Sequence, residues 1–430
     1  MSRHPLLLSA AGVAVALLAA AAPANGATPP RAAVTATVET PAVFDDEAGG
    51  NADADDPAIW VDPRRPGRSL VIGTLKEGGL AVYDLAGREL QRIAPPPPPA
   101  ADDAPGRFNN VDVAYGVRLG RTTADLAVVS DRGRDQLRIY RIDGVGAARP
   151  LVDVTAPDVP FAFNAEQAAV NDQSTAYGLT TTVERGTAWV VASRRSATQL
   201  GLFRLVNTAR GVSYQRADTL SLPGSFRLPN GTTWTPCDEP GVGPQVEGVV
   251  VDPVTGVLYA AQEDVALWRI DLRNHRFGPA RIVEKVKEFG VPGTYDAASD
   301  ECVYGANPGY GGTRITADVE GLAVYADRYL LVSSQGDSGF LVYDRKTLVY
   351  LGRYDVVDGA ATDGVQHSDG TAVVHTPLSA AFPAGLLVVH DGENTPETEG
   401  RENTNFKFLD WRAVAKPLRL AVTPSAPGPR

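Results

Sequence analysis

The sequence predicts an all-β fold, a six-bladed β-propeller, from three observations. One pattern of strands and turns recurs six times along the 430 residues. Helical periodicity is almost absent, and 43 glycines with 33 prolines indicate many turns. The chain is too long for one minimal domain, so it forms either two or three domains or one large repeat architecture. The recurrence favours the repeat architecture.

The first 26 residues have the features of a signal peptide. Arg3 precedes an apolar stretch of Leu, Ala and Val, and small residues follow near Ala24 and Gly26. We therefore expect a secreted, extracellular protein, with a retained membrane anchor as the alternative. In an exported chain, Cys237 and Cys302 would most simply form one disulfide.

The net charge of −11 argues against nucleic acid or an anionic membrane as a partner. We expect a monomer that acts on a small molecule. The propeller domain is predicted over residues 27–415, followed by a disordered tail over 416–430.

Each copy contains an apolar strand, a turn, a second strand ending in small or polar residues, a polar loop and a third strand ending near an aromatic residue. Alternating Val, Leu and Ile between Gly, Asp and Pro turns is typical of β-structure. A pair of β-sandwiches is the alternative, but it does not explain six repeats of one pattern. The copies begin near residues 56, 112, 178, 247, 320 and 369.

Four segments lie outside this pattern or interrupt it. AVTATVETPAVF, residues 33–44, resembles a strand and is predicted to complete the last blade and close the ring. The best helical pattern is short, from Ile282 to Phe289. Insertions at 95–106 and 220–244 are predicted to be loops.

Acidic residues recur at the start of the copies. In a propeller the first strand of each blade faces a central channel, so these acids are predicted to converge on one mouth. A ring of like charges is unfavourable unless cations neutralise it. Oxygen ligands without His or Cys at zinc spacing favour Ca²⁺, although any single acid could instead cap a turn. The acids are Asp56, Asp112, Glu247, Glu263, Asp318, Glu320, Asp363 and Asp369, and Tyr177 occupies the equivalent region of the third copy.

Basic residues follow the second strands of the first three copies. They are Lys76 in GTLKEGG, Arg132 in SDRGRD, and Arg194 and Arg195 in ASRRSATQ. Each could be a solvated surface charge. Their equivalent positions beside an acidic metal site predict a phosphate-binding pocket instead.

Several ordered motifs resemble those of the β-propeller phytases between about residue 40 and residue 412. These motifs are DADDPAIW, NNVDVAYG, VEGVVVD with AQEDVALW, DVEGLAVY with SSQGDSGF, TDGVQHSDG, and DGEN with NFKFLDW. The resemblance implies a calcium-dependent phosphoric monoester hydrolase of the 3-phytase type, acting on calcium-complexed myo-inositol hexakisphosphate (phytate). Glu77 stands where the family often has a second basic residue, and Arg194 stands where it commonly has lysine.

The resemblance also implies roles for individual residues. Tyr177 would lie beside several active-site calcium ions, and Lys76, Arg132, Arg194 and Arg195 would bind phosphate. A structural calcium site would use Asp391, Glu393 and Asn394. The active-site calcium ligands would be Asp56, Glu247, Glu263, Asp318, Glu320, Asp363 and Asp369.

Direct attack by water is the mechanism that the residue inventory favours. Neither cysteine has an arginine six positions later, and no RHG segment supports a phosphohistidine route. Calcium held by Glu247 and Glu320 would activate the water, while Lys76 and Arg132 stabilise the phosphate oxygens. A propeller lactonase or sugar hydrolase with one calcium, and a non-catalytic secreted binding propeller, are the alternatives. The basic residues argue against the first alternative and the convergent acids against the second.

Overall fold

The computed structural model describes residues 29–299, 301–396 and 400–423. The predicted signal peptide lies outside the described residues. No helix within these ranges is both long and apolar enough to span a bilayer.

The predicted copies form six sheets, and consecutive strands within each sheet pair antiparallel. The N-terminal segment contributes β1 (Arg31–Val34), β2 (Val38–Glu39) and β3 (Val43–Phe44). The first blade contains β4 (Pro57–Trp60), β5 (Leu70–Thr74), β6 (Leu80–Tyr83) and β7 (Glu89–Ile93). The second contains β8 (Phe108–Leu119), β9 (Thr122–Asp131), β10 (Gln136–Ile142) and β11 (Leu151–Asp153). The third contains β12 (Ala176–Glu184), β13 (Thr187–Arg194), β14 (Gln199–Thr208) and β15 (Gly211–Ser221).

The second half of the chain repeats this arrangement with two inserted hairpins. The first hairpin is formed by β16 (Phe226–Arg227) and β17 (Thr233–Trp234), and the second by β22 (Gly293–Asp296) and β23 (Glu301–Tyr304). The fourth blade contains β18 (Val246–Val251), β19 (Val257–Gln262), β20 (Ala266–Arg273) and β21 (Arg276–Lys285). The fifth contains β24 (Val319–Tyr325), β25 (Tyr329–Ser334), β26 (Gly339–Asp344) and β27 (Tyr350–Val356). The sixth contains β28 (Thr371–Val373), β29 (Leu386–Asp391) and β30 (Asn403–Asp410).

The first strands of the six blades form a closed ring. Strand β4 contacts β8, which contacts β12, and the contacts continue through β18, β24 and β28 back to β4. Buried apolar clusters lie between neighbouring blades, so both faces of most sheets are covered. This is why second strands such as Leu70–Thr74 are buried along their whole length. The predicted six-bladed propeller is confirmed.

The N-terminal segment closes the ring across two blades. Strands β2 and β3 pair antiparallel with β30, through Val38 opposite Phe408 and Val43 opposite Thr404. The predicted outer strand of the last blade is therefore confirmed. Strand β1 additionally pairs in parallel with β27 of the fifth blade.

The helical prediction at Ile282–Phe289 is wrong. Strand β21 continues to Lys285 because its alternating side chains pair with β20, with Leu267 opposite Glu284. The described helices are α1 (Gln167–Asn171) and α2 (Trp411–Leu418), with 3-10 turns at Pro66–Arg68 and Gln335–Asp337.

Helix α2 changes the predicted end of the domain. Asp410 caps it by accepting a hydrogen bond from the Arg412 backbone N–H, and Trp411 stacks on Tyr325 at 4.0 Å between ring centroids. Beyond the helix, the Ala421 N–H donates to the Tyr329 hydroxyl at 2.8 Å. The predicted boundary at residue 415 falls inside this helix, and contacts with the propeller continue through residue 423, the last one that the structure describes.

The two inserted hairpins, β16–β17 and β22–β23, lie in segments that form one small unit on the fourth blade. Cys237 and Cys302 form the predicted disulfide, with an S–S distance of 2.06 Å. Trp234 packs against Phe289 at 4.6 Å between ring centroids, and its Nε1 donates to the Val291 carbonyl at 2.7 Å. The segment predicted as a loop therefore contains a hairpin, because its aromatic residues are buried against a second insertion.

We expect the double substitution Cys237→Ser/Cys302→Ser to lower the free energy of unfolding by about 2–4 kcal/mol while the propeller remains folded. The reason is that the disulfide links positions 65 residues apart and restricts the unfolded chain. Urea unfolding followed by circular dichroism measures the difference. Reduced wild-type protein should match the variant, whereas an unchanged midpoint would contradict the role of the disulfide.

Candidate active site

A β-bulge in the first strand of several blades positions the site residues. The pairing of first and second strands shifts between Phe108 and Val111, and at the equivalent points of three further blades. The two residues inside a bulge leave the regular pairing, which re-aims their side chains. They are Asn109–Asn110, Tyr177–Gly178, Glu247–Gly248 and Glu320–Gly321.

The glycines in these bulges let neighbouring blades approach closely. An added Cβ at Gly178 would lie 1.8 Å from the Glu247 carbonyl oxygen, and one at Gly248 would lie 2.1 Å from that of Glu320. Gly321 and Gly370 face the carbonyl oxygens of the next blades, those of Asp369 and Asp55, at 2.5 and 2.7 Å. Each contact is closer than any side chain allows, so the backbones that carry the site residues lie against one another. Equivalent positions around the mouth are Asp55, Asn109, Tyr177, Glu247, Glu320 and Asp369.

The predicted ligand Asp56 lies one residue away from this ring. Its Oδ2 accepts a hydrogen bond from the Val111 N–H at 3.1 Å, and it lines the central channel. Asp112 also turns away from the mouth and accepts from the Thr181 N–H at 2.6 Å. A shift of one residue reverses the side of a strand that a side chain faces. Asp55 therefore takes the place predicted for Asp56, and Asn109 the place predicted for Asp112.

Three glutamates form the centre of the acidic half of the site. Carboxylate oxygens of Glu247, Glu263 and Glu320 lie within 4.8 Å of one another, and all three residues are buried. Within the described ranges, this is the one group of three acidic, histidine or cysteine side chains with such spacing. The structure brings these three glutamates together, as the sequence analysis predicted.

Two of these glutamates and the neighbouring Asp55 have an oxygen that lacks the donor a buried charge requires. Glu263 Oε1, Glu320 Oε2 and Asp55 Oδ2 are buried without a hydrogen-bond partner among the described residues. Burial, with the charge of Asp369, raises the pKa of Glu247 to about 7, and burial with neighbouring acids raises the pKa of Glu320 well above its usual range. Oxygen ligands that repel one another fit a bound divalent cation.

The acidic half extends toward the inserted hairpins. Burial raises the pKa of the predicted ligand Asp318 to about 6, and its side chain is hydrogen-bonded to Asp264. Asp264 was not predicted, although it follows Glu263 directly in AQED. On the other side, the predicted ligand Asp369 accepts a hydrogen bond from Gln335 Nε2, and its backbone N–H donates to His390 Nδ1 at 3.0 Å.

The basic half of the site is linked to the glutamates by hydrogen bonds. Arg132 donates to Asn109 Oδ1 at 3.1 Å, and Asn109 Nδ2 donates to Glu247 Oε1 at 2.6 Å. The Tyr177 hydroxyl donates to the other oxygen of Glu247, and the Arg132 guanidinium lies 5.6 Å from the Tyr177 ring centroid. The sequence analysis missed Asn109 because an amide stands in NNVDV at the position where the VEG motifs of two later copies have a glutamate.

Lys76 belongs to this half and pairs with Asp53. Burial lowers the pKa of Lys76, but the charges of Asp55, Asp53 and Asp369 outweigh burial and raise it. The acidic stretch DADD therefore has three roles. Asp53 pairs with a cation, Asp55 faces the mouth and Asp56 faces the channel.

The structure separates the two adjacent arginines of the third blade. Arg194 donates to the Ser174 carbonyl at 3.0 Å and to Asn164 Oδ1 at 2.9 Å, away from the mouth. Burial and the charge of Arg132 lower the pKa of Arg195, which also lies near Glu263. Arg195 therefore faces the site, and the predicted phosphate contact of Arg194 does not fit its position.

The predicted structural calcium site contains a lysine ammonium group. Lys407 is fully buried, and its Nζ lies 2.7 Å from Glu39 Oε2, 2.7 Å from Asn394 Oδ1 and 3.2 Å from Asp391 Oδ2. It also contacts Asp363, which is thereby held away from the mouth. We call these residues the Lys407 clasp.

The third predicted ligand of that site, Glu393, points elsewhere. Glu393 pairs with His367 at 2.8 Å, and its side chain is 57% exposed. Because an ammonium group already neutralises the oxygens and Glu393 is absent from them, the clasp does not fit the predicted calcium. In the sequence, the lysine of the NFKFLDW motif, Lys407, was the signal that a cationic side chain could occupy this site.

Comparisons with known proteins place these residues in context. A profile described as Phytase matches residues 4–181 and 239–422. The 3-phytase of Bacillus subtilis (strain 168) is 28% identical over 392 residues, which cover 90% of this chain and 85% of that protein. Among solved structures, the β-propeller domain of Cps50 (Swd1) from Myceliophteria thermophila has a TM-score of 0.38 and 12% identity, covering 82% of this chain and 83% of that one.

We expect Gly248→Ala to lower the free energy of unfolding by about 3 kcal/mol or more, because its Cβ would meet the Glu320 carbonyl oxygen at 2.1 Å. Gly224→Ala is the matched control, since its nearest neighbour, Thr198 Cγ2, would lie at 3.4 Å. Urea unfolding of both variants tests the close approach. Equal stability of the two variants would contradict it.

Protein kept free of divalent cations should lose stability as the pH rises from about 5 to about 8. The raised pKa values of Glu247, Glu263, Glu320 and Asp318 mean that the folded state binds more protons than the unfolded state in this range. Stability is therefore greatest on the acidic side and falls as these groups ionise. Calorimetry in a chelating buffer measures this trend, and a melting temperature that rises with pH would refute it.

Proposed function

Because the chain belongs to the phytase family, we propose that it is a secreted, calcium-dependent phytase acting on calcium-complexed myo-inositol hexakisphosphate. Family membership makes it a phosphoric monoester hydrolase with a small-molecule substrate. One observation carries the finer proposal. Three buried glutamates, two of which have an oxygen without a hydrogen-bond partner among the described residues, lie opposite a group of cationic side chains at the same mouth of the propeller.

The residues present at the mouth fit calcium. Glu247, Glu263 and Glu320 would hold the ions, with Asp318 and Asp369 beside them, and Asp55 completes the ring. All of these ligands are oxygens, which suits Ca²⁺ better than a transition metal. When bound, calcium would neutralise phosphate charge and acidify the attacking water.

The chain's own residues would bind and orient the phosphate. Arg132 and Lys76 supply donors for the oxygens on which charge is spread in the transition state. Asn109 fixes Arg132 relative to Glu247, and Tyr177 fixes the orientation of the Glu247 carboxylate. These contacts would hold the basic and acidic halves of the site at fixed positions relative to each other.

The charges of the site also favour a polyanion complexed with calcium. The chain has a net charge of −11 and would repel a free polyphosphate. Calcium held by the acids would reverse this local repulsion, and the arginines would bind the remaining phosphates. A lactonase or neutral-sugar hydrolase would have no use for several cations at the mouth.

Secretion and a monomeric state complete the proposal. The disulfide between Cys237 and Cys302 supports an oxidising compartment. All site residues come from one chain, so no second copy is needed to form the site. Ionised carboxylates are needed to hold calcium, so we propose that activity favours neutral to mildly alkaline pH.

We expect Glu320→Gln to lower phosphate release from calcium-phytate by at least about a hundredfold while the fold is retained. The substitution preserves shape but removes one negative ligand. Glu393→Gln is the matched control, because Glu393 is exposed and lies outside the ring. Phosphate release and the calcium-dependent rise in melting temperature are measured for both variants.

The two readouts separate the parts of the proposal. Wild-type turnover in a folded Glu320→Gln protein would show that Glu320 does not hold calcium. Phosphate release that survives chelation and dialysis would refute calcium dependence. Loss of calcium-dependent stabilisation in Glu393→Gln but not in Glu320→Gln would place the metal elsewhere.

A further inference from the structure

The loops that carry the basic residues are hydrogen-bonded to one another in series. The Phe108 N–H donates to the Lys76 carbonyl at 3.1 Å, and the Arg132 N–H donates to the Arg107 carbonyl at 2.8 Å. Three cationic residues, Lys76, Arg107 and Arg132, therefore lie on adjacent backbone segments. Arg107 is the one among them that the sequence pattern did not indicate.

The series continues to the third blade. The Thr175 hydroxyl donates to the Arg132 carbonyl at 2.6 Å, and the Arg195 N–H donates to the Thr175 carbonyl at 2.8 Å. We call Lys76, Arg107, Arg132 and Arg195 the cationic arc. Each of the first three blades contributes to it, and the second blade contributes twice.

Arg107 is firmly placed at the end of the 95–106 insertion. Its backbone N–H donates to Asp131 Oδ1 at 2.9 Å. Gly133 allows the insertion to lie on the turn that carries Arg132, because an added Cβ would come within 1.9 Å of the Pro105 carbonyl oxygen. The backbone on both sides of the Arg107 side chain is thus fixed against the site.

The guanidinium group of Arg107 is only loosely paired. Its NH1 donates to Asn51 Oδ1 at 3.3 Å and to Glu77 Oε1 at 3.4 Å, which is longer than an optimal charge-assisted hydrogen bond. Its Nε is buried without a partner among the described residues, as is the Nε of Arg132. Burial and the charge of Arg132 lower the pKa of Arg107. Neighbouring guanidinium groups with unused donors are the arrangement that binds an anion.

We propose that Arg107 binds a second phosphate of the substrate, beside the phosphate held by Lys76 and Arg132. Glu77 then acts as a tether that positions the guanidinium, not as a repulsive charge in the pocket. This inference rests on the proposed phytase function and extends it to a residue that confers preference for a substrate with several phosphates. A second basic residue is thus supplied next to Lys76 from another loop, although position 77 is acidic.

The test compares Arg107→Gln with Arg134→Gln. Arg134 lies in the same turn as Arg132 and anchors the same insertion through the Pro97 carbonyl at 2.8 Å, but it is outside the arc. We expect Arg107→Gln to raise the KM for calcium-phytate about tenfold, as for loss of one charge-assisted contact, with kcat within about twofold. The KM for a one-phosphate ester should stay within about twofold, and Arg134→Gln should change neither constant.

Glu77→Gln distinguishes the two roles of the acid. A tether predicts an unchanged or raised KM for calcium-phytate, whereas a repulsive charge in the pocket predicts a lowered KM. Equal losses on both substrates in Arg107→Gln would place Arg107 at the cleavage position and overturn the inference. So would wild-type constants on both substrates.

Direct binding keeps the inference testable apart from turnover. Myo-inositol hexasulfate, a polyanion that a phosphatase does not hydrolyse, is titrated calorimetrically into calcium-loaded protein. Arg107→Gln should weaken binding about tenfold relative to wild type and Arg134→Gln. If the wild type releases no phosphate from either ester, the proposed function fails, but the binding comparison still decides whether Arg107 holds a polyanion. Equal affinities in all three proteins would overturn the inference alone.

Discussion

The close approach of neighbouring inner strands is the constraint on which the site depends. Glycines in the bulges allow the backbone of one blade to touch the backbone that carries the next site residue. Apolar clusters between the blades supply the stabilisation that holds these strands together. The glutamates are therefore kept within 4.8 Å of one another although their charges repel. The geometry that forces these carboxylates together is also the geometry that a divalent cation would neutralise, as the proposed function requires.

The two signs of charge occupy different parts of the ring. The cationic arc comes from the first three blades, and the carboxylates come mainly from the last three. Asn109 joins the two halves, since it accepts from Arg132 and donates to Glu247. A phosphate at the boundary would meet arginines on one side and acid-bound cations on the other. In the proposed function, phosphate binding and hydrolysis would both take place at this boundary between blades.

The sequence was sufficient for the fold and for the central acids, because both follow from recurrence. Glu247 and Glu320 stand in two copies of the same VEG motif, so their convergence was predictable. Asp55 was confused with its neighbour Asp56 because side chains alternate along a strand, and a one-residue shift reverses the side that each faces. Arg195 was predicted together with Arg194, and the sequence could not show which of the two faces the site.

Residues that act outside the repeat were not predictable in this way. Arg107 is brought to the mouth by an insertion that has no equivalent in other blades. Lys407 is buried, but a buried lysine has the same sequence signature as an exposed one. This lysine clasp joins Glu39 to β30 across 368 positions of the chain, and β2 pairs with the same strand. On the ribosome, β2 and β3 must therefore wait for β30, and a nascent chain with five finished blades still has two uncovered apolar sheet faces, one on the first blade and one on the fifth. Exposed apolar surfaces of this kind favour aggregation, so productive folding depends on completion of the sixth blade.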